Sequence, residues 1–295
     1  MSLKNVILNQ LKDLVLSGKT RQEKWRREQL HSLSNLLENH QQEILTALHQ
    51  DLGKPPTEAF FEIIAIKQEI KLAQKNLSNW MKAKQISVPV SLRPAQAFVQ
   101  PDPLGCILII GPWNYPFSLT LQPLVGALAA GNTAVLKPSE HAPNVSNLIK
   151  KLIEKYFPPE IAQVIEGDGE TAADLMTKKF DHVFFTGGEN IGKKVMEAAS
   201  KNLTPVTLEL GGKSPAVVID GANLEVTAKR IIWGKSLNAG QTCIAPDHLL
   251  VEDKLFDSLI FNLKNSINDF YGSTPLDSKH LGSIINQNQF NRLNN

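Results

Sequence analysis

The spacing of apolar residues in the first part of the chain predicts amphipathic helices. Between residues 6 and 50, apolar side chains recur every three or four positions and charged side chains fill the opposite face. Glycine and proline at residues 53–56 end this pattern, because neither residue readily continues a helix. A second long helix is predicted over residues 57–84. We assign no catalytic role to these helices.

The pattern changes to alternation of apolar and polar residues at residues 86–100, with Pro89 and Pro94 inside the run. Alternation is typical of half-exposed strands, and proline confines a strand to the edge of a sheet. We therefore predict that residues 86–103 form a β-ribbon that reaches outward to a second subunit.

Continuous apolar runs begin at residue 104 and alternate with helical patterns. Such runs are typical of strands that are buried on both faces, and Cys106 inside the first one is predicted to be an inert core residue. Alternating strands and helices indicate a parallel α/β sheet with its functional loops at the carboxyl ends of the strands. The predicted strands are 104–110, 133–136, 163–165, 182–186 and 216–219, and the predicted helices are 119–129 and 144–156.

Cys243 lies in a short loop between a predicted helix, 224–238, and a predicted strand, 248–252. Gly240 and Pro246 bound this loop. A thiol held on a loop by two regular elements is well placed for a nucleophile. A lone cysteine is nevertheless more often a small buried apolar residue, so this loop alone does not decide its role.

Two further segments are candidates for a phosphate-binding turn and a general base, but the residues alone do not assign these roles. The glycine-rich turn at residues 186–192 would let a phosphate approach backbone amides at a helix N-terminus, although tight turns also use glycine for conformational reasons. Glu209 stands between two leucines, where desolvation would raise the pKa of its carboxyl towards the range of a general base. Alternatively, Glu209 lies at a strand edge and faces water.

The amino-acid composition favours a globular protein and argues against several other classes of protein. The 295 residues are enough for one large or two medium domains, and 42% apolar with 20% charged residues is typical of a globular protein. The net charge of +2 is scattered, which argues against a nucleic-acid partner. Two cysteines cannot form a disulfide framework and favour a reduced, cytoplasmic setting. No apolar run reaches the length of about 18 residues that spans a bilayer. The dispersed histidines suggest no metal site.

Five motifs then occur in one order, and together they resemble the aldehyde dehydrogenase superfamily, most closely its class 3, fatty-aldehyde-type branch. The resemblance covers essentially the whole chain. The motifs are Gly-Pro-Trp-Asn-Tyr-Pro at 111–116, Leu-Lys-Pro-Ser-Glu at 136–140, Phe-Phe-Thr-Gly at 184–187, Leu-Glu-Leu-Gly-Gly-Lys-Ser-Pro at 208–215 and Gly-Gln-Thr-Cys at 240–243.

The resemblance implies an α/β fold with a Rossmann-type parallel-sheet cofactor domain at residues 1–208 and part of an α/β catalytic domain at residues 209–295. It also implies NAD(P)-dependent oxidation of medium- or long-chain aliphatic or aromatic aldehydes to carboxylic acids. In this family pattern Cys243 is the nucleophile that forms a thiohemiacetal and then a thioester. Asn114 stabilises the oxyanion, and Glu209 is the base that activates water.

The resemblance further implies a binding site for NAD or NADP. This chain has Gly188 where the family commonly has serine, which removes one hydroxyl beside the phosphates. The implied cofactor-binding residues are Pro112, Trp113, Lys137, Glu140, Thr186, Gly187, Gly188, Ile191 and Gly192. The aldehyde pocket is expected to be lined by Trp113, Tyr115, Thr242 and Ile244.

Family members continue well beyond residue 295, with a Glu-Ile-Phe-Gly-Pro motif that holds the nicotinamide ribose and a C-terminal arm. We therefore expect a C-terminally truncated chain whose full-length form is a homodimer, with membrane association only through the missing part. Two alternatives stay open. One is a catalytically impaired remnant that at most binds a dinucleotide. The other is an acylating aldehyde reductase, against which Glu209 argues, because such an enzyme does not need to activate water.

Overall fold

The chain begins with helices, as its apolar spacing predicts. The computed structural model describes residues 3–294, with side chains from residue 8 onward. The buried stripe of the second helix includes Leu30, Leu33 and Leu37, none of which is exposed. The last of these helices ends at Trp80 rather than at residue 84. The helices are α1 (Leu3–Leu16), α2 (Glu23–Asn39), α3 (Gln41–Leu52) and α4 (Pro56–Trp80).

A small antiparallel ribbon follows the helices. Strands β1 (Lys84–Ile86) and β2 (Ala97–Val99) pair with each other and have little burial. The two strands lie at residues 84–86 and 97–99, so the ribbon overlaps the predicted range of 86–103 but begins two residues earlier and ends four residues earlier. Its contact with a second subunit stays a prediction.

The centre of the protein is a parallel sheet of five strands in the order β5-β4-β3-β6-β7. Every residue of β3 and β4 is buried, as the continuous apolar runs predict. Successive side chains of β3 point to opposite faces of the sheet, so this strand contributes to the core on both faces. The strands are β3 (Cys106–Ile110), β4 (Thr133–Lys137), β5 (Ala162–Val164), β6 (His182–Thr186) and β7 (Val206–Glu209).

Helices cover both faces of this sheet. Ile107 and Ile109 of β3 belong to a core shared with α2 to α6, whereas Cys106 and Leu108 belong to a core shared with α1, α7 and α8. The result is a three-layer α/β/α unit, which confirms the predicted fold class. The additional helices are α5 (Ser118–Ala129), α6 (Pro143–Tyr156), α7 (Gly169–Met176) and α8 (Glu189–Ser200).

A second, smaller sheet begins after Glu209, the residue at the predicted domain boundary. Strands β8 and β9 are parallel and, among the described strands, pair only with each other. Helices α9 and α10 pack on them around Val218, Ala228 and Leu259. The division into two domains stays a prediction. The elements are β8 (Ser214–Val218), α9 (Leu224–Ser236), β9 (Pro246–Val251), α10 (Phe256–Tyr271) and α11 (Gln287–Asn294).

The strand order places a crevice at the carboxyl edge of the main sheet. From β3 the chain runs outward through β4 and β5, then returns past β3 to form β6 and β7. The loops that follow β3 and β6 therefore diverge, and parallel sheets bind ligands at such a switch point. Within residues 3–294, no helix combines the length and the apolarity that crossing a membrane requires.

Gly105, just before β3, shows how tightly the sheet is built. Its φ of +138° is one that residues with side chains rarely adopt, and a Cβ there would overlap the carboxylate of Asp181. That carboxylate accepts the N–H of Cys106 at 2.8 Å. The position therefore requires glycine for both its backbone and its space.

We expect Gly105→Ala to lower the free energy of unfolding by about 2–4 kcal/mol, through backbone strain and a displaced Asp181. The matched control is Gly126→Ala in α5, where a Cβ meets nothing within 4 Å. That variant should gain roughly 0.5–1 kcal/mol, because alanine favours a helix over glycine. Urea unfolding followed by circular dichroism measures both. Equal stability of the two variants would contradict the constraint at Gly105.

Candidate active site

Two loops from distant parts of the sequence meet beside Cys243. The side-chain amide of Asn114, after β3, donates to the carbonyl of Gln241 at 2.9 Å. The hydroxyls of Tyr115 and Thr242 share a hydrogen bond of 2.7 Å. In the reverse direction, the amide of Asn238 donates to the Asn114 carbonyl at 2.7 Å. These bonds bring the predicted oxyanion donor to the loop of the predicted nucleophile.

The two cysteines differ in access to solvent. Cys243 is exposed, whereas Cys106 is buried inside β3. Burial raises the pKa of the Cys106 thiol to about 12, so this residue stays a neutral thiol near pH 7. Cys106 is therefore inert, as its apolar run predicts, and Cys243 is the accessible thiol.

The amide of Asn114 keeps a donor for a substrate. A side-chain amide has two N–H groups, and the Gln241 carbonyl accepts one of them. The backbone carbonyl of Asn114 accepts from both Lys54 and Asn238, so the residue is fixed at its main chain. The remaining N–H is the group that could meet an oxyanion formed at Cys243.

The loop before Cys243 contains strained backbone. Asn238 and Ala239 both have φ of +53°, in the left-handed region that alanine rarely adopts. The N–H of Asn238 donates to Glu58 at 2.8 Å, and the Gln241 amide donates to the carbonyls of Asn238 and Ser283. Helix α9 therefore ends at Ser236 rather than at residue 238, and side-chain hydrogen bonds hold the chain in this turn.

Three charged residues of the N-terminal part of the chain, to which we assign no catalytic role, contact the two loops of the site. Lys54, between α3 and α4, pairs with Glu62 and donates to the Asn114 carbonyl at 3.0 Å. Glu62 also accepts the N–H groups of Phe117 and Ser118. Burial raises the pKa of Glu58, which receives the Asn238 N–H.

One sequence signal could have identified part of this group. Glu62 lies among the buried apolar residues of α4, close to Ala59, Ile63 and Ile66. A carboxylate on an apolar helix face is costly unless it is paired, so it indicates a partner elsewhere in the chain. The pattern does not show that the partner is Lys54, or that both residues contact the 114–118 loop.

Glu209 ends β7 and is exposed, as in the interpretation in which it faces water. The segment after it passes directly by the nucleophile loop: a Cβ at Gly212 would lie 3.1 Å from the carbonyl oxygen of Cys243. The chain three residues after Glu209 therefore lies beside the Cys243 loop. An exposed carboxylate there has access to water.

The predicted cofactor residues lie along the carboxyl edge of the sheet. Lys137 is buried at the end of β4 and donates to Glu140 at 2.8 Å. Burial raises the pKa of Glu140, but the hydrogen bond and the charge of Lys137 outweigh it, so the net shift is downward. Pro112 and Trp113 follow β3 at the same edge.

The glycine-rich turn forms the start of α8 at this edge. Thr186 ends β6, Gly187 follows it, and Gly188 is the residue before the helix, where no side chain caps the first amides. Uncapped amides at a helix N-terminus suit a phosphate group. Gly192 is buried within the first turns of the helix, whereas Ile191 is exposed.

The residues expected to line an aldehyde pocket are only partly brought together. Tyr115 and Thr242 contact each other, and burial raises the pKa of Tyr115 to about 12, so its phenol stays protonated. Trp113 is half-buried, and Ile244 is 78% exposed. Their contact with an aldehyde stays a prediction. Within residues 3–294, no cluster of three or more His, Cys, Asp or Glu side chains has the geometry to hold a metal ion.

Comparison with known proteins agrees with the motifs. The pattern of the Aldehyde dehydrogenase family matches residues 18–295. The 4,4'-diaponeurosporen-aldehyde dehydrogenase of Staphylococcus aureus is 47% identical over 270 residues, which cover 91% of this chain and 59% of that protein. Aldehyde dehydrogenase family 3 member B3 of Mus musculus is 44% identical over 287 residues, covering 97% and 60%. The chain thus spans about three fifths of the length of these relatives.

Solved structures show the same fold. The substrate-bound state of Staphylococcus aureus AldH has a TM-score of 0.95 and 44% identity, covering 99% of this chain and 64% of that one. An E. coli NADP-dependent enzyme has a TM-score of 0.86 and 26% identity, covering 96% and 59%. A betaine aldehyde dehydrogenase mutant from Staphylococcus aureus in complex with NAD+ has a TM-score of 0.87 and 25% identity, covering 97% and 58%.

The family pattern covers residues 18–295, and the Staphylococcus aureus relative is 47% identical over 91% of this chain. The chain therefore belongs to the aldehyde dehydrogenase family.

Proposed function

We propose that this protein oxidises aldehydes to carboxylic acids with a nicotinamide dinucleotide as cofactor. The observation that carries the proposal is the hydrogen bond from the Asn114 amide to the Gln241 carbonyl, two residues before the exposed Cys243. This contact brings a thiol and an oxyanion donor together. A thiol alone would be weak evidence for catalysis.

The first step is attack of the Cys243 thiolate on the aldehyde carbon, which forms a thiohemiacetal. The developing oxyanion is stabilised by the free N–H of Asn114 and by the backbone N–H of Cys243. A donor of this kind is typically worth about 3 kcal/mol of the barrier. The strained turn at Asn238 and Ala239 fixes the nucleophile loop for this step.

A bound nicotinamide dinucleotide would supply the acceptor for the hydride that leaves the substrate carbon. The chain is then left with a thioester at Cys243. Glu209 takes a proton from a water molecule, which attacks the thioester and releases the carboxylic acid. The exposure of Glu209 favours this role, because a hydrolytic water must reach its carboxylate.

The residues present fit either NAD or NADP. The uncapped amides at the start of α8 would hold the pyrophosphate, and Glu140 would accept from a ribose hydroxyl beside Lys137. A carboxylate at the ribose favours NAD over its phosphorylated form. Structural relatives whose titles name NADP or NAD+ support the dinucleotide class without selecting one of the two.

The substrate class is inferred from the residues near Cys243. Trp113 and Tyr115 present aromatic rings and Ile244 an exposed apolar side chain. Such surfaces favour medium- or long-chain aliphatic or aromatic aldehydes over small polar ones. The name of the diaponeurosporen-aldehyde relative is consistent with an apolar substrate.

A second candidate function is dinucleotide binding without turnover. It is favoured by one observation: the main sheet and the glycine-rich turn at the start of α8, which the proposed cofactor site uses, are both in place. Measurement of cofactor reduction separates the two candidates.

We also infer that a second copy of the chain packs against the ribbon of β1 and β2. Five large apolar side chains are exposed there, and exposed apolar patches commonly mark interaction sites. The exposed residues are Ile86, Val90, Leu92, Phe98 and Val99.

Thiol labelling tests whether Cys243 is the accessible nucleophile. Under native conditions, iodoacetamide should modify Cys243 and leave Cys106 unmodified, because Cys106 is buried and its pKa is raised to about 12. Both cysteines should react in denaturant. Mass spectrometry of the peptides measures the sites, and equal labelling of both cysteines in the native protein would contradict this assignment.

Cofactor reduction tests the activity itself. The purified protein with decanal and NAD or NADP should form the reduced cofactor, measured by absorbance at 340 nm, about 10²-fold or more faster than Cys243→Ala, since the nucleophile is essential. Cys243→Ala should lose this activity, and Cys106→Ala is the matched control that should keep it. Cofactor binding with no reduction by the unmutated protein would favour the second candidate.

The role of Glu209 predicts a distinct kinetic result. Glu209→Gln should release about one equivalent of reduced cofactor in a burst and then turn over slowly, because the thioester still forms but water is no longer activated. Stopped-flow measurement of the burst amplitude checks this. Exposed Glu197, near the C-terminal end of α8, provides a control in Glu197→Gln, which should retain steady turnover. Loss of the burst in Glu209→Gln would place Glu209 before hydride transfer instead.

A further inference from the structure

A buried ion pair stands behind the loop that carries Asn114. The side chain of Lys54 is 0% exposed and that of Glu62 is 1% exposed, and the two are in direct contact. Both come from the N-terminal part of the chain, which supplies neither the proposed nucleophile nor the proposed base. An ion pair so deeply buried needs a physical explanation beyond stability, since two apolar side chains of similar volume often stabilise a core at least as well.

The pair is bonded to the loop at several points. The Lys54 ammonium donates to the Asn114 carbonyl at 3.0 Å and lies 4.0 Å from the centre of the Tyr115 ring. Glu62 accepts the N–H of Phe117 at 3.1 Å and that of Ser118 at 2.8 Å. A single ion pair therefore fixes the main chain of the loop on both sides of Pro116.

The same network reaches the other catalytic loop. The Asn114 carbonyl that Lys54 contacts also accepts from Asn238, whose amide donates as well to the Gln241 carbonyl at 3.2 Å. Glu58, one turn before Glu62 in α4, accepts the Asn238 N–H. Main-chain groups of both loops are thus anchored to charges on one short segment, residues 54–62.

We propose that Lys54 and Glu62 act as a positioning pair: they fix the backbone of Asn114 so that its side-chain amide is presented to the oxyanion formed at Cys243. Neither residue touches the substrate. The inference rests on the proposed function of Asn114 and Cys243, and it adds two residues that act through them.

Two small reagents separate this role from general support of the fold. p-Nitrophenyl acetate acylates a thiolate: the sulfur attacks the acetyl carbonyl, a tetrahedral oxyanion forms, p-nitrophenolate leaves and an acetyl thioester remains on Cys243. Iodoacetamide alkylates the same thiolate by displacing iodide, and no oxyanion forms. The ratio of the two rates therefore reports the oxyanion donor, and neither reaction requires a dinucleotide.

Lys54→Met preserves most of the side-chain volume and removes the donor. We expect it to slow acylation by about 10-fold or more, and Asn114→Ala by about 10²-fold, because an oxyanion donor contributes to that extent. Alkylation by iodoacetamide should change little in either variant. Glu62→Gln, which keeps the shape of the carboxylate, should shift the ratio in the same direction and serves as the second variant if Lys54→Met does not fold.

Arg26→Met is the matched control. Arg26 is also a buried cation that donates to main-chain carbonyls, those of Thr20 and Ala129, but these lie where β4 begins, at the opposite edge of the sheet. Its loss should lower stability and leave the ratio of acylation to alkylation unchanged. Thermal unfolding of each variant measures the effect on stability separately.

The outcomes distinguish the two levels of inference. If the unmutated protein is acylated at Cys243 but a folded Lys54→Met or Glu62→Gln variant keeps its ratio, the positioning pair is overturned and the proposed function stands. The positioning pair is also overturned, and the proposed function stands, if a folded variant lowers the rates of acylation and alkylation by the same factor. If Cys243 of the unmutated protein is not acylated, or Cys243→Ala releases p-nitrophenolate equally fast, the proposed function fails and the pair loses its role with it.

Discussion

The hydrogen bond between the Asn114 amide and the Gln241 carbonyl joins segments that are 127 residues apart, and the candidate site depends on it. One segment leaves the main sheet after β3, and the other leaves α9 towards the small sheet of β8 and β9. Neither segment has a regular structure that would hold it in place. Their relative position is therefore set by side-chain to main-chain bonds, which are directional and fail steeply when the geometry changes.

These bonds connect a rigid part of the protein to a strained part. The sheet supplies a rigid edge, since every residue of β3 and β4 is buried. The Cys243 loop carries the unfavourable backbone, with Asn238 and Ala239 in the left-handed region. Hydrogen bonds to Glu58 and to the Ser283 carbonyl hold that loop in place, and strained backbone persists only where the surrounding structure fixes it in this way. The exposed thiol of Cys243 thus lies in a loop with strained backbone.

The sequence predicts several elements through their apolar period, although α10 also has apolar residues at helical spacing and was not predicted. Helix α4 and strands β3 and β4 are confirmed because burial imposes their patterns on the residues. Helix α11 was not predicted, since its residues are almost all polar. Helix α7 was also not predicted, because it has only eight residues. Asp168 caps this helix by accepting the N–H groups of Glu170 and Thr171, and an aspartate at this position is a sequence signal for a helix start.

Only the site residues that lie within the family motifs could be predicted from the sequence. Resemblance to a family predicts roles for Cys243, Asn114 and Glu209, because short local motifs contain these residues. Lys54 and Glu62 belong to no such motif, and their pairing with a loop that begins 60 residues after Lys54 is a tertiary contact. The exposure of Glu209 likewise depends on what lies over the end of an edge strand, which the local sequence does not specify.

The order of the parts along the chain has a consequence for biosynthesis. The Lys54–Glu62 pair and every group of the 114–118 loop that it contacts lie within the first 118 residues, whereas Cys243 is made 125 residues later. Chains emerge from the ribosome N-terminus first, and N-terminal units generally fold first. The proposed positioning pair and Asn114 are thus translated before the proposed nucleophile, whose own backbone N–H is the second oxyanion donor. The oxyanion site becomes complete only when the Cys243 loop packs against the 114–118 loop.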